Sequence, residues 1–307
     1  MDYTLHQLQI FLKVSQIQSI TKASEELYLT QPAVSIQLKK FQDQFPIPLY
    51  EVVGRKLFIT DFGKEIAVAA NKILNEVHAI NYRTLAYQGE LSGRLKISVV
   101  STGKYVMPYF LSGFIRLNRG VDLVMDVTNK TKVVKHLEQN QVDFALVSVL
   151  PRNMELDSVE LMPNKLFYVA SNELTFGNRP SKKKLFEDFP LIYREEGSAT
   201  RNAMETFISQ NNFSVQNKME LTSNEAVKQA VISGLGCSIM PLIGIKNELS
   251  NGDVQIVPVS GLPITTKWKL VWLKSKKLSP VARALIEFLN KEKDSIIDKK
   301  FKWIDSF

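Results

Sequence analysis

No proline and no strand-like alternation interrupts residues 61–87, where Ile66, Ala70, Ile73, Val77, Ile80, Thr84 and Tyr87 recur at alternating steps of four and three. Held over three heptads, that repeat is an a/d seam, the pattern of a helix whose apolar ridge seeks a partner. At 1.5 Å per residue, about 27 residues run roughly 40 Å. A head of about 60 residues covers little of such a rod, so a dimer helix is a stronger reading than packing on the chain's own domain. The seam therefore divides the chain into a first domain at 1–60, a linking dimerisation helix at 61–90 and a larger domain at 91–307, with a hinge expected over residues 89–94 from Gly89 and Gly93.

The first domain reads as helices followed by a hairpin. Leu5, Leu8, Phe11, Leu12 and Ser15 stand at helical spacing, and a second helix starts near Ile20 or Thr21 with Ala23 and Leu27 on one face. Thr30 suits an N-cap and Pro32 the first turn that follows it. Val34, Leu38, Phe41 and Phe45 then form a buried stripe, which leaves Gln31, Pro32, Ser35, Ile36, Gln37, Lys39 and Lys40 outside. Short and amide side chains near a helix N-terminus, with cations further along, are what a helix needs to read base edges and meet phosphates. A solvated face has the same composition. Context decides between them, because an Ala-x-x-x-Leu helix, a short turn and a capped second helix resemble a helix-turn-helix. Extended residues on both sides of Gly54 make a wing presenting Arg55 and Lys56. The candidate DNA contacts are thus Thr30, Gln31, Pro32, Ser35, Gln37, Lys39, Arg55 and Lys56.

Global charge adds little to that inference. Of 39 Lys+Arg and 31 Asp+Glu, nine of each fall in residues 1–90, so the excess of 30 over 22 sits in the larger domain. Hydrophobic content of 45% with 23% charged residues is ordinary for a globular protein. The longest apolar stretches, 66–70 and 237–245, fall far short of the roughly 18 residues of a spanning helix, and the N-terminus lacks a basic stretch followed by an apolar core. With a single cysteine, Cys237, unable to pair within the chain, a cytoplasmic location and no membrane partner are expected.

Beyond residue 94 the rhythm changes to β-α-β, with strands at 95–100, 121–127 and 142–147 and helices at 105–118 and 131–139. A second set follows: strands at 165–170, 190–194, 217–221 and 237–240, helices at 199–211 and 224–233. A strand at 266–273 and a helix at 280–291 return the chain to the first sheet. The expected architecture is α/β in two lobes, about 91–164 with 266–307, and about 165–265, with a ligand between them. Ligands of open α/β sheets bind outside the carboxyl ends of the strands. Polar loops stand there, giving as candidates Ser101, Thr102, Thr128, Asn129, Ser148, Glu195, Ser198, Thr200, Arg201 and Ser223. Each loop alone reads as capping; their repetition at one end of the sheets, with Arg201 as a cation, suits a small anion.

The residues of an enzyme are not in evidence. His6, His78 and His136 lack metal spacing, Gly197-Ser198-Ala199 lacks the hydrolase elbow, and Gly234-Leu235-Gly236 follows a helix, where it reads as a C-cap. Cys237 reads as a core thiol. No catalytic residue, metal site or cofactor is expected, only a small-molecule co-inducer; the rival is a solute-binding protein or enzyme on the same two-lobed scaffold.

Phe11, the Ala23/Leu27 helix, the run Thr30-Gln31-Pro32-Ala33-Val34-Ser35, Pro48-Leu49-Tyr50-Glu51, Gly54-Arg55 and residues 57–60 stand in the order found in LysR-type transcriptional regulators, which the whole chain resembles. The resemblance implies winged helix-turn-helix heads, a linker-helix dimer and a two-lobed effector domain similar to periplasmic binding proteins. It implies a homodimer or homotetramer on double-stranded DNA, RNA polymerase among its partners, and DNA bending altered by a metabolite. Gln31, Pro32 and Ser35 then belong in the major groove and Arg55 in the minor groove or on phosphate. Ile36 stands where many members carry arginine, and Pro46-Ile47 replaces a glycine-containing corner. Residues 101–105 and 194–201 resemble the branch that regulates carbon-dioxide fixation operons, whose members sense phosphorylated or anionic metabolites.

Overall fold

The computed structural model describes every residue except Met1, Arg55, Gln88, Gly89, Arg152 and residues 178–180; for His78, Ala79 and residues 81–87 it describes the backbone alone. The chain forms two units, Met1–Glu90 and Leu91–Phe307.

Three capped helices open the first unit. In α1 (Leu5–Ile17) Thr4 and Gln7 cap each other's backbone, Ser19 caps α2 (Ile20–Glu26), and Thr30 caps α3 (Gln31–Gln42) with Pro32 in its first turn. Leu8, Phe11, Val14, Ala23, Val34, Leu38 and Phe41 make the core between them. Phe45 joins that core from beyond the end of α3, meeting Phe41 edge-on and stacking on Tyr3, so the expected stripe outlasts its helix by one turn. The wing pairs β1 (Tyr50–Val53) with β2 (Lys56–Ile59), Val53 opposite Lys56, with Gly54 in the turn between them. Helix α4 spans Asp61–Tyr87, the 27 residues expected. Its entry depends on Gly63, where a Cβ would lie 1.9 Å from the Leu49 carbonyl oxygen.

The seam is not one free ridge. Ala70 and Leu74 are buried, and Ile66 packs on the head's own core, whereas Ile73 and Ile80 are 40% and 60% exposed. Helix α1 lies against α4 and takes its N-terminal half. The expectation of a wholly intermolecular ridge is corrected accordingly; its last members, Thr84 and Tyr87, have side chains outside the described residues.

In the second unit a seven-stranded sheet runs in the order β10-β6-β11-β5-β3-β4, with β9 also paired to β6. Strands β3 (Ser92–Val100), β4 (Gly120–Thr128) and β5 (Phe144–Val147) are parallel and alternate with a 3-10 turn (Ser101–Tyr105), α5 (Met107–Leu117) and α6 (Lys130–Glu138). Ser92–Arg94 already pairs with Gly120–Asp122, so the hinge expected to reach residue 94 ends before the strand; Gly89 lies outside the described residues.

The expected strand at 165–170 is the second half of a 16-residue strand, β6 (Leu156–Ser171). Asp157, Ser158 and Pro163 are poor strand formers and hid its first half. From Leu156 to Leu166 it pairs with β11 (Ile264–Leu273), so lobe boundaries at 164/165 and 265/266 cut through two continuous strands that join the lobes. Between them come α7 (Lys182–Glu187), β7 (Leu191–Arg194), α8 (Ala199–Gln210), β8 (Lys218–Leu221), α9 (Asn224–Ile232), β9 (Ser238–Pro241), α10 (Lys246–Asn251) and β10 (Val254–Ile256). Alternation along β6 feeds two cores. Phe167 and Val169 belong to the main core shared by both lobes, and Leu166, Tyr168 and Ala170 to a smaller one with Phe186, Phe207 and Cys237. Helix α11 (Pro280–Lys300) runs nine residues past its expected end, because Phe301 anchors it by stacking on Phe110 and meeting the edge of Tyr109.

Candidate nucleic-acid interface and ligand crevice

Helix α3 turns Val34, Leu38 and Phe41 inward and leaves Gln31, Pro32, Ser35, Ile36, Lys39 and Lys40 exposed. Thr30 is committed to the cap, accepting from the Ala33 N–H at 3.4 Å. Gln37 departs from its expected place. It is half-buried, and its amide oxygen accepts from Gln7 Nε2 at 3.2 Å, so it braces α3 on α1 instead of facing outward. Lys56 is exposed on the wing, and Arg55 lies outside the described residues. The remaining surface offers hydroxyl, amide and aliphatic groups at the helix N-terminus with two ammonium groups behind them, which suits base edges flanked by phosphates.

The second unit holds a narrow crevice lined by Val100, Ser101, Thr102, Asn129, Lys130, Arg194, Ser198, Ala199 and Thr200. It sits at the carboxyl ends of the parallel strands β3, β4 and β7, where the chain turns into the N-termini of α6 and α8. Asn129 caps α6 from the Lys132 N–H and Ser198 caps α8 from the Arg201 N–H, so both helices aim their first turn at this end of the strands. Gly197 permits the close approach. At φ 82, it brings the loop so near α6 that a Cβ would meet Thr131 Oγ1 at 2.6 Å.

Of the ten expected ligand residues, the crevice gathers Ser101, Thr102, Asn129, Ser198 and Thr200. Thr128 ends β4 and Ser148 follows β5, both outside it, and Ser223 caps α9. Arg201 points elsewhere: Nε donates to Glu205 at 2.8 Å, and Nη1 donates to Glu220 at 2.6 Å and the Arg194 carbonyl at 3.1 Å. The arginine that lines the crevice is Arg194, whose side chain is 4% exposed. There Nε and Nη2 donate to Glu195 Oε2 and Oε1 at 2.7 and 2.8 Å, so Glu195 is the arginine's counter-ion and not a lining group. Arg194 ends β7 and Lys130 opens α6; the strand-end rule that selected their neighbours could have found both.

The turn carrying Ser101 and Thr102 is tied to the other lobe. Tyr105 donates to Glu225 at 3.3 Å, and Lys228 bridges Glu225 and Glu248 at 3.0 and 2.6 Å. Burial works against the charge on Glu225, but hydrogen bonds from Lys228 and Gln229 outweigh it and hold the carboxyl below its ordinary range. Burial likewise opposes the charge on Lys228, and Glu248 and Glu225 hold its ammonium above the ordinary value. Cys237 is fully buried and its thiol is pushed up by burial, as expected for a core thiol. Among the described residues no His, Cys, Asp and Glu group is arranged to hold a metal, and no helix is long and apolar enough to cross a membrane.

A capped reading helix beside a wing, and a separate α/β unit with a polar crevice at its strand ends, define a ligand-responsive DNA-binding regulator. Residues 5–64 match the bacterial regulatory helix-turn-helix protein model of the lysR family, and residues 88–294 match the LysR substrate binding domain. The chain belongs to the LysR family, and it is a DNA-binding transcription regulator, not an enzyme. It is 35% identical over 288 residues to the HTH-type transcriptional activator CmpR of Synechocystis sp., covering 93% of this chain and 94% of that one. It is 36% identical over 293 residues to a RuBisCO operon transcriptional regulator of Allochromatium vinosum, covering 95% and 97%. These relatives lie in the carbon-dioxide fixation branch. The solved Synechocystis PCC6803 CcmR regulatory domain in complex with 2-PG is 28% identical, with a TM-score of 0.62, over 66% of this chain and 98% of that one.

Proposed function

We propose that this regulator is a cytoplasmic homotetramer whose hold on operator DNA responds to a small anionic metabolite in the crevice. The observation that carries the reading is the convergence of two helix N-termini, four hydroxyls and the buried Arg194 on one narrow space. Free N–H groups and a cation stabilise an anion, and the hydroxyls orient it. The complex of the CcmR domain with 2-PG supports the same class of ligand. On the DNA side, Gln31, Pro32, Ser35 and Lys39 occupy the groove, with Lys56 and Arg55 at the flank; Ser101, Thr102, Asn129, Lys130, Arg194, Ser198 and Thr200 hold the effector.

The test is calorimetric titration of the full chain with 2-PG and with inorganic phosphate, followed by gel shifts on the intergenic DNA beside its own coding sequence. Thr102→Ala and Arg194→Gln are expected to weaken the effector at least tenfold and to leave DNA affinity in place, since charge-assisted hydrogen bonds contribute about 1.5–3 kcal/mol. Arg201→Ala should keep the response. Loss of response in Arg201→Ala with retention in Arg194→Gln would move the site away from this crevice.

A further inference from the structure

We propose that Ile36 reads the 5-methyl group of a thymine in the major groove, an inference that rests on placing α3 there. At about 100° per residue, Ile36 stands roughly 200° around the helix from Val34, nearly opposite the buried stripe of Val34, Leu38 and Phe41. Pro32, Lys39 and Lys40 flank it on that outward face. The side chain aimed most directly away from the core is therefore aliphatic, and it is 55% exposed. A lone exposed isoleucine on a surface calls for no explanation. This one occupies the centre of the surface that meets the base edges.

Chemistry narrows what it meets. In the major groove guanine, adenine and cytosine offer donors and acceptors, whereas thymine adds a methyl group. Isoleucine has no polar atom with which to answer a donor or acceptor, so over those bases it would strip water from groups left unpaired. Over thymine it buries one methyl against its own branched end. Ser35, one position earlier, and Lys39, three positions later, supply polar contacts on either side, so Ile36 adds selectivity at one base pair without carrying the overall affinity.

Deoxyuridine differs from thymidine only by that methyl, which makes the test direct. Half-sites on the intergenic DNA beside the coding sequence are located by footprinting with the full chain, and each thymine is then replaced singly by deoxyuridine. Fluorescence anisotropy is expected to show one thymine per half-site whose replacement costs wild type about fourfold, the worth of one buried methyl. Ile36→Ala should bind thymine and uracil there alike, and Ile36→Arg should move the preference at that pair towards guanine. Thermal melting confirms that these exposed variants stay folded. If wild type and Ile36→Ala respond identically to every replacement, the assignment to Ile36 is overturned. In that event Ser35→Ala and Lys39→Ala separate the two readings: weakened binding leaves α3 in the groove, and unchanged binding removes it as well.

Discussion

At the scale of single residues, the crevice is governed by which carboxylate each arginine serves. Arg201 is spent on Glu205 and Glu220, and Arg194 enters the crevice already paired along one edge with Glu195. An anion arriving at Arg194 therefore competes with a carboxylate less than 3 Å from the guanidinium. Glu195→Gln removes that competitor's charge and keeps an acceptor oxygen, so affinity for 2-PG should rise about tenfold in calorimetry, the gain of roughly one charge-assisted hydrogen bond. A fall instead would mean that Glu195 accepts directly from the ligand. Glu225 gives a pH-dependent counterpart. Its folded pKa lies below the ordinary 4.5, so its link to Lys228 and Tyr105 stabilises the fold above that value and is lost as pH drops through the folded pKa. Melting temperature should therefore fall more steeply below about pH 4.5 in wild type than in Glu225→Gln. Parallel curves for the two proteins would show that the tie carries no stability.

Among the elements, α4 shows how far a sequence pattern reaches. Its length and helicity are legible because no breaker interrupts 27 residues, but the seam alone does not say which of its members face α1. Ala70 and Leu74 turn to the head, while Ile73 and Ile80 remain exposed, a ridge that a second copy would cover if α4 is the dimer helix. Burying one isoleucine contributes about 1.5–3 kcal/mol and a two-fold interface counts it twice, so Ile80→Glu should weaken dimerisation at least about a hundredfold by sedimentation analysis. An unchanged dimer would place the interface elsewhere. The helices of the head were readable for a different reason: their caps are local, written within three residues of each N-terminus. Strand β6 was half hidden because its pairing with β11 is about a hundred residues distant and overrides Asp157, Ser158 and Pro163. Gln37 was misplaced for a geometric reason, since it borders the core stripe and only the facing Gln7 decides its direction. The crevice was half legible. Strand ends mark its hydroxyls and also Arg194 at the end of β7, but nothing local shows that Arg201 is taken up by Glu220, 19 residues away.

For the molecule as a whole, the uneven charge poses the last question. A neutral DNA-binding unit is joined to one carrying 30 cations against 22 acids, and residues 254–286 hold six cations and no acid. Such a field speeds the approach to DNA, yet it does not by itself make contact. Several of these lysines already have partners: Lys228 with Glu225 and Glu248, Lys267 with Glu160, and Lys276 with Asp143. The cations expected at the DNA are Lys39, Lys40, Lys56 and Arg55, four per half-site. Two half-sites then neutralise about eight phosphates, and log affinity should fall with log salt at a slope of about 7, near 0.9 per phosphate. Measured by anisotropy on a duplex holding one pair of half-sites, that slope separates two pictures. A value near 7, reduced by about two in Lys39→Ala because each copy loses one contact, places the phosphate contacts on the heads. A slope near 10 that Lys39→Ala leaves unchanged would put the lysine-rich units against the backbone, and the heads would then supply selectivity while the rest of the molecule supplied most of the hold.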